Sequence, residues 1–285
     1  MSFDIAALHP AADDNKYTRG KLVVVAGSAR YPGAAVLAAR AGQRMGAGYT
    51  EVVTAREAID VVRIASPSLV VRPLDEWQPK DLPSSSEDKP LAVCIGPGFE
   101  GAPDESDLVV RVLKRAQCPV LVDGGGLADL GSAKALKQLV MRSEKDMPTV
   151  LTPHGGEAAR LAKNFSLTTD NPGQLAAGLS LALHAVVVLK GPDTYVAQGK
   201  RVGVMREGTP VLAKAGTGDV LAGMIAALLA QGFDPYDAAL AGAQLHARAG
   251  VVAGRAYTAV SATAEDVIEF IPEALRFYEE FAALE

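Results

Sequence analysis

The chain has 285 residues, 49% hydrophobic and 21% charged, a balance that supplies a buried core and excludes a disordered polymer. At about 150 residues per domain this length allows one or two domains. Its 28 Lys and Arg against 33 Asp and Glu give a net charge of -5, which argues against a nucleic-acid partner, because phosphate backbones select a basic excess.

In chain order, the first stretch carries Asp4, Asp13 and Asp14 and has no apolar core, so no secretory signal is expected. Short, nearly continuous apolar runs then recur at 22–26, 49–54, 69–72, 91–95, 120–123, 149–152 and 186–190, as strands covered on both faces should. Helical spacing occupies 34–45, 105–115 and 133–142. The alternation predicts an α/β fold with a mostly parallel central sheet and helices on both faces. The segment DLPSSSEDKP (81–90) has turn chemistry and is expected to be a surface loop within one domain. Cys94 and Cys118 lack C-x-x-C spacing and sit among apolar residues, so they are expected to be buried thiols. Beyond Lys190 the pattern changes: 194–197 and 201–205 predict a hairpin, 211–212 a further short apolar piece, and then helices over 218–230, 235–253 and from Ala264 to the end. The longest apolar run, 220–230, is too short to span a bilayer, so no membrane association and a cytoplasmic location are expected.

The 28 glycines exceed the usual share of about 7%. They gather after predicted strands: GSARYPG (27–33), GPG (96–98), DGGG (123–126), TPHGGE (152–157) and KGPDT (190–194). Any one could be a tight turn. Five on the carboxyl edge of a parallel sheet predict a binding crevice, since that is where open α/β sheets hold ligands.

The sequence AGTGD (215–219) leads straight into an apolar helix. Its glycines let backbone N–H groups approach an anion, and the helix N-terminus favours negative charge. Asp219 could be an ordinary first-turn carboxylate. A carboxylate beside an anion hole is also suited to take a proton from a hydroxyl that receives a phosphoryl group. No G-x-x-x-x-G-K-[ST] occurs, and residues 27–33 do not give G-x-G-x-x-G, so neither a P-loop nor a dinucleotide fingerprint is supported.

AGTGDVLAG (215–223) resembles the anion-hole and catalytic-Asp signature of the ribokinase-like superfamily. With GSARYPGAA (27–35), GAGYTEV (46–52), IGPG (95–98), LTPHGGEAARL (151–161), LKGPDT (189–194) and LLAQG (228–232) in order, the chain is similar to the ADP/ATP-dependent NAD(P)H-hydrate dehydratases, from about Arg19 to Leu275. The resemblance implies a ribokinase-like three-layer sandwich formed by a single domain over residues 1–285, without the epimerase domain of bifunctional members. It implies that Ala35, Gly98, His154 and Asp219 contact the hydrated dinucleotide, that Lys190, Gly191, Pro192, Asp193, Thr194 and Gly218 hold the adenine nucleotide, and that the assembly is a homo-oligomer, a tetramer in the family. Two positions depart from the family: DGGGL (123–127) replaces D-A-D-A-L, and Glu207 stands where the family has Asn.

A hydrated nicotinamide ring carries a hydroxyl, a poor leaving group until it is phosphorylated. The expected chemistry is therefore transfer of phosphate from ADP or ATP to that oxygen, followed by elimination. Asp219 is the expected base, with the Gly216, Thr217 and Gly218 backbone as anion hole. Glu157, three residues after His154, resembles the superfamily's N-x-x-E glutamate and is assigned to Mg2+, with an early-helix carboxylate as the alternative. Lys214 and His246 are weaker candidates, and His184 is expected at a helix end or in the core. A ribokinase-like small-molecule kinase of vitamin or sugar type and a non-catalytic adenine-nucleotide-binding module remain open as rival readings.

Overall fold

Alternate side chains of a strand point to opposite faces, and along the first strand both faces are covered: Leu22 and Val24 pack into one apolar cluster, Val23 and Val25 into another. The same division runs through the chain, which a computed structural model describes over residues 5–282; the acidic start at Asp4 and the final residues of the expected domain lie outside that range. In order, the elements are β1 (Lys21–Val25), α1 (Pro32–Arg44), β2 (Tyr49–Thr54), α2 (Ile59–Ala65), β3 (Val70–Pro73), β4 (Leu91–Ile95), α3 (Pro103–Arg115), β5 (Val120–Val122), α4 (Ala133–Ser143) and β6 (Thr149–Leu151). They continue with α5 (Gly155–Lys163), α6 (Pro172–Leu183), β7 (Val186–Leu189), β8 (Thr194–Gln198), β9 (Arg201–Met205), α7 (Thr217–Ala230), α8 (Pro235–Tyr257), α9 (Ala264–Glu269) and α10 (Ile271–Ala282).

The nine strands form one sheet in the order β3-β2-β1-β4-β5-β6-β7-β8-β9. Neighbours from β3 to β7 run parallel, and β8 and β9 are added antiparallel. One face carries α1, α7, α8 and α9, whose buried residues join Leu22 and Val24; the other carries α3, α4, α5 and α6, which join Val23 and Val25. This is the expected three-layer arrangement. Between β1 and β4 the sheet changes its direction of growth, so the loops after these strands flank a topological switch point, where such sheets open a crevice.

Small residues bring α1 against α7. A side chain at Gly223 would collide with the Ala38 carbonyl, so the two helices meet backbone to backbone, and Ala38, Ala39, Ala222 and Ala226 have no exposed surface. Close approach of this kind substitutes for the aromatic bulk that the composition lacks.

Three local expectations need correction. The last predicted helix is two, α9 and α10, separated at Phe270: Pro272 has no N–H to continue the ladder, and its ring crowds the carbonyl four residues back. The piece at 211–212 lies in a 3-10 turn, Pro210–Leu212. Helices α2, α5 and α6 are additional; α5 opens with two glycines and α6 with Pro-Gly, which mask the helical signal. Cys94 and Cys118 are buried and unpaired, and burial pushes the Cys118 thiol up to about 12. Among the described residues no helix is long and apolar enough to cross a membrane.

Candidate active site

The anion-hole turn is built from its own backbone. Gly216 caps α7 with φ of +91°, a left-handed conformation that suits glycine, and a side chain there would meet Leu37 Cδ1 at 2.6 Å. The Thr217 hydroxyl, buried at 4% exposure, donates to the carbonyls of Leu212 at 2.7 Å and Lys214 at 2.9 Å. That hydroxyl is therefore committed to shaping the turn, and the Thr217 amide also donates to the Lys214 carbonyl at 3.4 Å. Gly218 and Asp219 follow in the first turn of α7, where backbone N–H groups have no intrahelical acceptor and point along a favourable dipole.

Beside this turn lies a cluster of charges at the carboxyl ends of β5, β6 and β7. Lys190 Nζ lies 2.7 Å from Asp123 Oδ1, which also accepts from the Thr152 hydroxyl at 2.6 Å. A β-carbon added to Gly218 would stand 3.3 Å from the same Nζ, so the ammonium rests against the helix N-terminus. Burial pulls the Lys190 pKa down, but Asp123, Glu157 and Asp219 together outweigh it and hold the lysine charged. Asp219 behaves oppositely. Burial, reinforced by the Asp123 charge and only partly offset by Lys190, pushes its pKa up to about 7. A carboxylate poised there is half ionised near neutrality and is a stronger base than an ordinary aspartate.

His154 caps α5: its Nδ1 accepts from the Gly156 amide at 3.0 Å and faces the Glu157 amide at 3.4 Å. Glu157 answers by accepting from the His154 amide at 2.8 Å, a reciprocal capping box. The Glu157 carboxyl is buried, and burial raises its pKa against the lowering effect of that amide bond and of Lys190. Among the described residues no group of three His, Cys, Asp or Glu side chains could hold a metal ion. Glu157 can offer at most one carboxylate to a cation whose other ligands come from elsewhere.

A cleft of about 590 Å³ is lined by Lys190 and His154 of this cluster and by Thr217 and Gly218 of the turn, whereas Asp123, Glu157 and Asp219 are not in its wall. Of the residues expected to hold nucleotide, Lys190, Gly191, Pro192, Thr194 and Gly218 line it, and His154 and Thr217 stand at its edge with them. Asp193 is not in the wall; its carboxylate faces Arg206 at 3.9 Å. The opposite wall is Met205, Gly208, Thr209, Pro210, Leu212 and Ala213 from the segment after β9, with Leu221, Ala243 and His246 at the base.

Of the residues expected on the dinucleotide side, His154 lines this cleft, and Ala35, Gly98 and Asp219 are not in its wall. Gly98 packs against the first loop, with a would-be side chain 2.7 Å from Ala34 Cβ. Ala35 has no exposed surface and offers nothing to a ligand in this conformation, because it is sealed beneath Gly27. Its contribution here is to the floor of the loop. Lys214 is also spoken for: its ammonium donates to the Val260 and Ala262 carbonyls and fastens the turn before α9. His184 is exposed and ends α6 in a left-handed conformation.

Sequence reasoning missed the pairing of Asp123, ranked His246 only as a weaker candidate and noted Glu207 only as a departure from the family. Asp123 was noted only for the glycines after it, yet it is the partner of Lys190. His246 is buried at the cleft base. Glu207 accepts from Arg248 Nη1 at 2.8 Å and from the Tyr278 hydroxyl at 3.4 Å, tying the cleft's outer wall to α8 and α10. The polar residue types were visible; the pairings depend on contacts 41 to 71 residues apart in sequence, which no local signal carries.

Comparison with known proteins agrees with this geometry. A sequence profile of the NAD(P)H-hydrate dehydratase family matches residues 22–273. The ADP-dependent (S)-NAD(P)H-hydrate dehydratase of Xanthomonas campestris pv. campestris is 33% identical, across 92% of this chain and 90% of its own length. The bifunctional NAD(P)H-hydrate repair enzyme Nnr of Gloeobacter violaceus is 37% identical across 89% of this chain, which spans 49% of that longer relative. The crystal structure of the ADP/ATP-dependent NAD(P)H-hydrate dehydratase of Bacillus subtilis, co-crystallised with ATP and Mg2+, superposes with a TM-score of 0.82 at 28% identity, covering 95% of this chain and 94% of that one. With a ribokinase-like sandwich, a free helix N-terminus beside a paired lysine and a profile match over most of its length, the chain belongs to the NAD(P)H-hydrate dehydratase family.

Proposed function

We propose that this protein is an ADP- or ATP-dependent (S)-NAD(P)H-hydrate dehydratase that returns hydrated NADH or NADPH to the reduced dinucleotide. The observation that carries the reading is Asp219, a carboxylate with its pKa raised to about 7, next to Gly218, which lines the cleft from the first turn of α7. In the proposed sequence the ring hydroxyl oxygen attacks the terminal phosphorus of the nucleotide and its proton passes to Asp219. The bond from that phosphorus to the departing AMP or ADP breaks. Backbone amides at Gly216 to Gly218 and the Lys190 ammonium stabilise the charge on the transferring group. Phosphate then leaves with the electrons of the carbon–oxygen bond, the neighbouring ring carbon gives its proton to water, the electrons of that C–H bond form the ring double bond, and the dihydropyridine is restored.

Mg2+ fits this site as a cation carried mainly by nucleotide phosphates and water, with Glu157 as a single protein carboxylate, because Mg2+ rarely uses an all-protein cage. When bound, it neutralises phosphate charge. ADP is the favoured phosphoryl donor in this proposal. His154 is taken as a dinucleotide-binding group rather than a base, a reading supported by its Nδ1 being occupied in capping α5. The described residues act as one catalytic domain, the assembly is a homo-oligomer (a tetramer), and the setting is cytoplasmic, in keeping with two unpaired thiols.

The deciding experiment incubates the protein with hydrated NADH or NADPH, ADP or ATP, and Mg2+, and follows recovery of dihydronicotinamide absorbance in the near ultraviolet. Recovery dependent on nucleotide is the expected result. Nucleotide consumption with release of a phosphorylated product and no recovery would mark a small-molecule kinase. Binding without turnover would mark a nucleotide-binding module.

A further inference from the structure

Lys190 follows β7 with its backbone fixed, because its amide donates to the Pro153 carbonyl at 2.9 Å. Its side chain is a flexible four-carbon stem, and an ammonium on such a stem takes its place from its partners. Asp123 supplies that place. Nζ donates to Asp123 Oδ1 at 2.7 Å, and the same oxygen accepts from the Thr152 hydroxyl at 2.6 Å. The acceptor is itself anchored: the Asp123 amide donates to the Ile95 carbonyl at 3.0 Å, and the Thr152 amide to the Val122 carbonyl at 3.2 Å. Asp123, Thr152 and Lys190 thus follow the adjacent strands β5, β6 and β7 and form one bracket on the sheet edge.

Of the three, Lys190 alone lines the cleft, with 17% of its side chain exposed; the Asp123 side chain is 3% exposed and Thr152 is fully buried. A bound group therefore meets the ammonium and not the bracket behind it. Nζ stands 3.3 Å from where a β-carbon would project from Gly218. One of its three donors goes to Asp123, and the other two have no protein acceptor among the described residues. We propose that Asp123 is a positioning residue for phosphoryl transfer, acting with the Thr152 hydroxyl to hold the Lys190 ammonium against the N-terminus of α7, where it meets the transferring group. This rests on the dehydratase reading of the site. An ammonium tied to a fixed carboxylate is held where charge gathers as the phosphorus–oxygen bonds change. Released, it follows the bound nucleotide and pairs with phosphate wherever phosphate lies. Loss of the bracket should then slow turnover and leave nucleotide binding intact.

The test measures kcat for dehydration and, by calorimetry, the Kd for ADP with Mg2+. It compares the native protein with Asp123→Asn, Thr152→Val, Lys190→Met and the double variant Asp123→Asn/Lys190→Met, with thermal melting of each. Asp123→Asn keeps the shape and removes the charge; Thr152→Val keeps every charge and removes the anchoring hydroxyl. Lys190→Met should lower kcat about 100-fold. Asp123→Asn should lower kcat about tenfold or more, with Kd within about threefold of native or tighter. Thr152→Val should lower kcat about threefold with the same Kd, and it decides the question if Asp123→Asn melts below the assay temperature. In the Lys190→Met background, Asp123→Asn should add less than about a twofold loss, because both act through one ammonium. A native-like kcat in Asp123→Asn or, where that variant does not fold, in Thr152→Val overturns the proposal. So does a loss that persists in full without Lys190, or a loss of ADP binding in proportion to kcat. Each of these leaves the dehydratase reading standing if the native protein is active. A native protein without nucleotide-dependent recovery overturns that reading and the positioning role with it.

Discussion

At the scale of single residues, Asp219 combines two opposed consequences of burial. Its raised pKa makes it a competent base near neutrality and also makes its ionised form a cost to the fold. Because the folded pKa lies above the unfolded value, this site's contribution to stability is present at low pH and is lost as pH rises from about 4 toward about 7. Asp219→Asn should therefore lower kcat by roughly 10²- to 10⁴-fold. Its melting temperature should exceed that of the native protein by roughly 2–6 °C at about pH 8 and coincide with it at about pH 4. The native pH–rate profile should show an acid limb with an apparent pKa near 7 that the variant lacks. Equal melting curves at both pH values, or an unchanged profile, would remove Asp219 from the role of base. The sequence made Asp219 legible because the turn before it has one main use. It could not expose the raised pKa, which comes from desolvation and from Asp123, 96 residues earlier in the sequence at the end of β5 and outside the motif.

At the scale of elements, the N-terminus of α7 separates glycines needed for shape from a glycine needed for access. Gly216 is left-handed and faces Leu37 at 2.6 Å, so Gly216→Ala strains the backbone and displaces α1. We expect it to destabilise the protein by about 1–3 kcal/mol, read as a lower melting temperature. Gly218 has ordinary helical space and only the flexible end of Lys190 within reach, at 3.3 Å. Gly218→Ala should melt within about 2 °C of the native protein yet weaken nucleotide binding roughly tenfold, since the new methyl occupies the approach to the amides. Equal effects on melting from the two substitutions would contradict this division. Element existence was largely legible: the nine strands carry the apolar runs foreseen for them, and the five glycine clusters do follow β1, β4, β5, β6 and β7, which are adjacent in the sheet. Helices masked by Gly or Pro at their starts were not legible, because propensity there is overridden by packing on the sheet.

At the scale of the whole molecule, the outer wall of the cleft is held by a contact between distant parts of the chain. Glu207 pairs with Arg248 of α8, whose guanidinium stacks 3.4 Å over the Phe277 ring of α10, and Tyr278 adds a hydrogen bond to the same carboxylate. The glutamate at this position thus gives the wall a charged tether to the C-terminal helix. Arg248→Met should release residues 206–210, raise the KM for nucleotide about three- to tenfold with kcat less affected, and speed proteolytic cleavage after Arg206. An unaltered KM and cleavage rate would show that the wall keeps its position without the tether.

The sequence by itself determined the layered α/β class, the edge of the sheet on which ligands gather and the turn that would hold phosphate, because each is written in local periodicity and in residues whose backbone freedom is short-ranged. Only the tertiary structure decided that Lys190 is paired with Asp123, that the Thr217 hydroxyl is spent on the turn, that Ala35 is sealed under Gly27, and that His246 is buried with an unpartnered ring nitrogen. The physical reason is common to all four. Charge state, exposure and hydrogen-bond partner are properties of what a side chain meets across the sheet, and strand order and register, not spacing along the chain, bring those neighbours together.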